Sequence, residues 1–554
     1  MAKFSIVTAA PPTPNGDLHL GHLAGPYSGA DIFARACRLR GERSVYATGS
    51  DVHQSYVPAK ARTLDLEPLD MAQGFADEIA AIFSSADLAT DSYVRPQHSP
   101  LHRETVRDFI RALHDGGRLE RRTEDCLYCE RCRRYLFEAH VTGACPRCAA
   151  ASDGNSCENC AWPNVCTDLV DPRCNACGDT PTLRSYERLV FPLSRYAERL
   201  AAFHDRTVLS PQVETLCATL TEHGLPDIPI SHPTDWGIPV PVEGFEDQRV
   251  YVWAEMVPGY LASFAEALGS ADGSGAAADW RQVWDDPGTE VVQFFGFDNG
   301  YFHAVLFPAL LMAYDETLRL PAALLSNEFY ELEAAKFSTS RRHAIWASDL
   351  LAHVPSDTVR FVLAYDRPED RRTNFTWDRF RALADGELVG TWQPWLDALF
   401  TRMEATGSGR VPDAAGATRS HLRYLADLDR LAERGHRAYR AEGFSPRLAT
   451  RVLCELVRGA EGFAAAQSRL YASRPGSAEA AAALAAEAAT AHVLAQLAQP
   501  VMPQFAERLW QALGCAGEPV RTEAALLPAG QAVKGGGTFF TPLDADLEVK
   551  VMGA

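Results

Sequence analysis

One short stretch, Pro11-Pro-Thr-Pro-Asn-Gly-Asp-Leu-His-Leu-Gly-His22, constrains this chain more than any other. It follows an apolar run, Phe4-Ser-Ile-Val-Thr-Ala9. It precedes a helix-like pattern, Asp31-Ile-Phe-Ala-Arg-Ala-Cys-Arg-Leu-Arg40. That order predicts strand, turn and helix. His19 and His22 then sit beside Gly21 where a strand's end meets a helix N-terminus. Such a place receives phosphate: backbone N–H groups point outward and the helix dipole favours anions. Gly21 lets a flat ligand approach the backbone. The two histidines can donate hydrogen bonds to phosphate oxygens as charge builds in a transition state.

A chain of 554 residues has room for several domains and an ample core. Its composition, 47% apolar and 23% charged, is that of an ordinary globular protein. No membrane span and no signal-peptide plan are expected, so the expected location is cytoplasmic. The formal charge of −19 works against nucleic-acid binding without excluding a local basic patch. Arginine carries nearly all the positive charge. The lysines are Lys3, Lys60, Lys336, Lys534 and Lys550. A lysine inside Lys336-Phe-Ser-Thr-Ser340 therefore stands out.

Eight cysteines form four Cys-x-x-Cys knuckles: Cys129/Cys132, Cys145/Cys148, Cys157/Cys160 and Cys174/Cys177. Two knuckles can complete a tetrahedral Cys₄ zinc site. The pair Cys145/Cys148 and Cys157/Cys160 has zinc-ribbon spacing, and the outer two knuckles bracket it. A disulfide framework is the alternative, but nothing suggests secretion. Four thiolates leave no open coordination position, so the sites read as structural. Cys126 and Cys166 read as spare thiols.

Together the histidine pair, Asn15, Asp51 and the Lys336 loop resemble the two signatures of class I aminoacyl-tRNA synthetases, within them the methionyl-tRNA synthetase family. The resemblance runs over roughly residues 4–385. It implies an α/β fold: a Rossmann-type doubly wound nucleotide-binding domain with a zinc-knuckle insertion, followed by an α-helical bundle. The implied parts are 1–115 and 225–325 for the two Rossmann halves and 116–224 for the insertion. Residues 326–384 hold the lysine loop, and 385–554 form the helical, anticodon-binding-type domain. A strand is expected over Val250-Tyr-Val-Trp253 and a helix over Ala478–Gln499.

The resemblance also implies roles. His19, His22 and Lys336 are catalytic. Asn15, Gly21, His22, Gly296, Asp298 and Lys336 bind ATP, with Mg²⁺. Ala10, Thr13, Asp51, Trp253, Tyr260, Asn299 and His303 hold the amino acid, Asp51 through its ammonium. Some relatives carry the four-knuckle insert with two zinc ions and others with only the inner one. The implied partners are amino acid, ATP and tRNA, with no DNA and no membrane, and a monomer is expected.

The pattern departs from the family in four ways. Thr339 stands at the loop's second lysine, where Arg341 or Arg342 are candidate replacements. Phe297 stands at another lysine. In the amino-acid pocket, Thr13 replaces a tyrosine, Val257 a proline, Phe307 a tryptophan and Asn299 an apolar residue. The anticodon-reading Asn and Trp are not recognisable near Gly390 or Leu470–Arg474, although Trp392 and Trp395 lie close to the first place. The expected function is activation of methionine or an analogue and its transfer to tRNA. One alternative is a paralogue that passes the activated amino acid to another nucleophile as an amide or ester ligase. Another is a catalytically inactive regulatory or tRNA-binding homologue.

Overall fold

The computed structural model describes residues 3–271, 280–333, 335–336, 344–407, 409–522 and 525–553. The chain forms two compact units. The first comprises Met1–Asp17, Val45–Phe83 and Ala89–Phe329.

Its core is a six-stranded sheet. In chain order the strands are β1 (Phe4–Ala9), β2 (Arg43–Gly49), β3 (Ser92–Val94), β4 (Val208–Leu209), β5 (Thr289–Gly296) and β6 (Ala323–Asn327). Their spatial order is β4-β6-β5-β1-β2-β3. β1 runs parallel to β5, with Val7 opposite Val292, and β6 runs parallel to both β5 and β4. Every residue of β1 is buried, Ser5 and Thr8 included, as in a parallel sheet covered on both faces. The strand order reverses around β1. In such sheets ligands sit beyond the C-terminal strand ends at that point. Ala10 and Gly296 lie there, at the ends of β1 and β5.

The Val250–Trp253 expectation fails. Only Arg249–Val250 is strand, and a helix runs Val252–Ala271. A four-residue apolar run cannot be told from a buried helix start. The later apolar residues, Met256, Val257, Tyr260, Leu261 and Phe264, keep helical spacing and decide the matter.

The knuckled insertion is a β structure. Glu120–Cys129 pairs antiparallel with Thr182–Phe191, with Tyr128 opposite Thr182. Glu138–Ala144 pairs with Ala151–Gly154 on one side and Val170–Cys174 on the other.

The second unit comprises Leu18–Ser44, Ser84–Leu88 and Tyr330–Ala554. Helices Arg419–Arg437, Pro446–Ser473, Ala478–Ala498 and Pro503–Ala512 make its bundle. Ala478–Ala498 is long and apolar enough to cross a bilayer by length and composition, yet 94% of its apolar window is buried. Small alanines let neighbouring helices pack on all its sides, as in a core helix.

Two buried arginines hold the helical segment after His22. Pro26 and a break at Gly25 interrupt it. Arg367 answers by donating Nη1 to Ala24 O, 2.6 Å away, and to Gly25 O. Gly29 makes room: a Cβ there would stand 2.6 Å from the Arg367 guanidinium. Arg360 donates to Asp31 at 2.5 Å and to the backbone oxygens of Pro500 and Val501. Arg35 completes the Asp31 pair at 2.9 Å.

Candidate active site and metal centres

The histidine motif lies in the second unit. His19 is the N-cap of a three-residue helix, Leu20–His22. Its Nδ1 accepts from Gly21 N–H, and His22 Nδ1 accepts from His19 N–H, each at 3.1 Å. The rings stack 3.8 Å apart. This revises the sequence expectation: these two backbone N–H groups are taken by imidazoles rather than presented to an anion. Because each Nδ1 accepts, a neutral ring carries its proton on Nε2. A proton on Nε2 makes each half-buried ring a hydrogen-bond donor on that side.

The lysine loop's base is a hairpin of Tyr330–Leu332 and Ala335–Lys336, with Lys336 opposite Glu331. Thr339, Arg341 and Arg342 lie outside the described residues, as does the Lys336 side chain. The segment leaving the loop returns to the histidine motif. Leu20 N–H donates to Ile345 O, Ala347 N–H donates to Leu18 O, and His19 bridges Trp346. The structure therefore brings the histidine pair and the loop's exit together.

The remaining site residues lie in the first unit. Ala10 continues β1 and donates its N–H to Phe294 O. Thr13 and Asn15 form a tight turn, the Asn15 N–H donating to Thr13 O. Asp51 N–H donates to Pro12 O, which ties the Asp51 loop to that turn. Asp51 lines a cleft with Pro11, Ser50, His102, Glu255 and Tyr260. Burial pushes its carboxyl well above the usual range. The nearby Glu255 and Glu138 charges add to this, and a 2.6 Å hydrogen bond from Gln54 only partly offsets it.

Sequence reasoning missed Glu255, His53 and His102. Glu255 Oε1 meets His53 Nδ1 at 2.7 Å and His102 Nε2 at 2.9 Å. Burial alone would raise its pKa. The opposing attraction of His53 and hydrogen bonds from both imidazoles hold it down to about 2. Only His53, inside Gly49-Ser-Asp-Val-His53, carried any sequence signal.

Trp253, Tyr260 and His303 do come together. Trp253 packs on Phe302 at 4.8 Å, and Tyr260 lies 6.0 Å from His303 and 5.7 Å from Phe307. His303 stacks on Phe295 at 4.2 Å and meets Gln293 through Nδ1. Burial lowers its pKa to about 3, so the ring is neutral at physiological pH. Asn299 follows Asp298 in the same turn. Its amide donates to Asp298 Oδ1 at 3.1 Å, which gives it a partner. The Asp298 carboxylate folds back over Gly296, where a Cβ would stand 2.6 Å from Oδ1.

The knuckles form two four-thiol groups: Cys129, Cys132, Cys174 and Cys177, and Cys145, Cys148, Cys157 and Cys160. Within each group all sulfurs lie inside 4.8 Å of one another. Cys129–Cys177, Cys132–Cys174, Cys145–Cys160 and Cys148–Cys157 are 3.5, 3.8, 3.8 and 3.6 Å apart. Zinc with bonds of about 2.3 Å needs tetrahedral edges near 3.8 Å, so both sets fit. A disulfide needs about 2.05 Å, so neither set is bridged.

Trp392 and Trp395 are buried in the core, Trp392 fully. They present no face for base stacking.

Known proteins match along most of this length. A family model described as "tRNA synthetases class I (M)" matches residues 5–397. A "Methionine--tRNA ligase" of Thermomicrobium roseum is 37% identical over 75% of this chain and 71% of its own. One of Korarchaeum cryptofilum is 32% identical over 93% of this chain and 91% of its own. The solved Mycobacterium tuberculosis methionyl-tRNA synthetase in complex with methionyl-adenylate superposes with a TM-score of 0.79. It covers 97% of this chain and 99% of its own at 22% identity, a likeness of fold.

Proposed function

Since the chain belongs to the methionyl-tRNA synthetase family of class I aminoacyl-tRNA synthetases, a group of ATP-dependent ligases, we propose that it activates methionine as methionyl-adenylate, releases pyrophosphate, and transfers the amino acid to tRNA. The methionine carboxylate attacks the α-phosphate, and the bond to the β-phosphate breaks. The Nε2–H groups of His19 and His22 stabilise charge on the phosphates as it builds. Lys336 adds a cation, and Asn15 and Gly21 complete the ATP contacts. Asp298, in the turn after Gly296, takes the ribose hydroxyls, with Asn299 orienting its carboxylate.

Asp51 holds the ammonium. This assignment rests on the single observation that carries the reading: a buried carboxyl in a cleft that lacks a cationic partner of its own among its described contacts. Trp253, Tyr260 and neutral His303 make an apolar, polarisable wall suited to a thioether, with Ala10 and Thr13 nearer the turn. Magnesium would accompany ATP. Zinc in the two four-thiol groups would serve folding, because neither offers an open position. We assign 1–115 and 225–325 to activation, 116–224 to the metal-bound insertion and 326–384 to the lysine loop. Residues 385–554 are assigned to tRNA contact. The enzyme is read as a cytoplasmic monomer without DNA or membrane partners.

The test is amino-acid-dependent ATP–pyrophosphate exchange across a substrate panel, followed by charging of total tRNA. Exchange with methionine and stable methionyl-tRNA are expected. Exchange without charging would favour transfer to another nucleophile.

A further inference from the structure

The segment Asp153–Ser156 runs from the end of the insertion's strand Ala151–Gly154 to the residue before the metal-ligand candidate Cys157. Two of its side chains leave the insertion and reach the catalytic half. Tyr56 donates its hydroxyl to Asp153 Oδ2 at 2.5 Å. Ser156 donates Oγ to the main-chain oxygen of Asp298 at 2.8 Å. The segment is itself pinned. Asn155 N–H donates to Asp153 Oδ1, Ser156 N–H donates to Asn155 Oδ1, and Asn164 donates to Asp153 O.

Each link ends beside a residue with an assigned role. Tyr56 opens the helix Tyr56–Leu64, directly after the Asp51–Ser55 turn that carries the ammonium carboxylate. In the same turn Ser55 Oγ accepts from Ala139 N–H of the insertion at 3.1 Å. Asp298 sits in the one-turn helix Phe297–Asn299. The Ser156 hydroxyl thus ties the main chain of this half-buried turn to the insertion.

We propose that Asp153 and Ser156 are positioning residues that make the inner cysteine knuckle a brace for both substrate subsites. Ser156 sets the Asp298 turn for the ribose, and the Tyr56–Asp153 pair sets the Asp51 turn for the ammonium. The inner metal group is then more than a folding staple, since the segment it anchors fixes two loops on one scaffold. The assignment rests on the roles given above to Asp298 and Asp51.

Two single-atom deletions test it. Ser156→Ala should raise the KM for ATP about three- to tenfold, the usual range for one lost hydrogen bond, with the KM for methionine within twofold. Tyr56→Phe should do the reverse. Ser156→Thr, which keeps the hydroxyl, should restore the ATP value. Zinc content should match the wild type in all three. Hydrogen–deuterium exchange gives a readout independent of catalysis: Ser156→Ala should speed exchange at residues 297–299 and leave 51–55 unchanged. Wild-type KM values together with wild-type exchange at 297–299 would overturn the proposal. So would equal rises in both KM values accompanied by zinc loss. If the wild type shows no pyrophosphate exchange, the functional reading fails, while the hydrogen-exchange arm still decides the brace.

Discussion

His19 and His22 cap each other: their rings stack 3.8 Å apart, and each Nδ1 accepts a backbone N–H from the same short turn. These contacts fix both rings in one orientation, and a preorganised donor is what transition-state stabilisation requires. His22→Ala should lower kcat of methionine-dependent exchange about 10²–10³-fold, the usual loss for one preorganised donor. The far-ultraviolet circular dichroism spectrum should stay that of the wild type. His19→Ala should also lose a helix cap, worth about 1 kcal/mol of local stability, and so show a small fall in Tm.

The raised Asp51 pKa sets a pH dependence. Only the carboxylate holds an ammonium, so methionine binding weakens as pH falls. Because burial raises the group, the weakening begins above the ordinary carboxylate range. A plot of kcat/KM for methionine against pH should show this acid limb. Asp51→Asn should remove the limb and lower kcat/KM by about 10²-fold or more, in line with roughly 2–5 kcal/mol for a buried charge partner.

Glu255 acts in the opposite sense, and on stability. Its folded pKa is about 2 against an ordinary 4.5. The stabilisation it gives is therefore present above about pH 4.5 and lost as pH falls toward 2. Tm measured from pH 7 down to pH 3 should fall more steeply for the wild type than for Glu255→Gln. The variant should already be less stable at pH 7, by on the order of 3 kcal/mol.

Asp31 faces Arg35 and Arg360 with almost no exposure. Asp31→Ala strands two buried guanidinium groups and should cost roughly 3–5 kcal/mol in urea unfolding. An Asp31→Glu variant should recover part of that loss.

Two four-thiol groups predict about two zinc ions per chain by elemental analysis. Cys157→Ser should lose the inner ion and keep the outer one. A single zinc in the wild type, lost on Cys157→Ser, would show that only the inner group is loaded.

Sequence patterns carried much of this. The Phe4–Ala9 strand, the alanine-rich helix and the knuckles were legible because periodicity and spacing specify them locally. The histidine motif was legible as chemistry, but its hydrogen bonding was not: which nitrogen accepts depends on ring orientation within a single turn. The start of the Val252 helix was misread because a short apolar run is ambiguous. Glu255, His102 and Ser156 were invisible because their partners lie 153, 153 and 142 residues away in the chain. No local pattern encodes such a meeting.

In the proposed function this site makes methionyl-adenylate. ATP–pyrophosphate exchange with purified enzyme, with and without methionine, tests it most directly. Exchange should depend on methionine and collapse in His22→Ala. Exchange that ignores methionine while another amino acid drives it, or none with any amino acid, would contradict it.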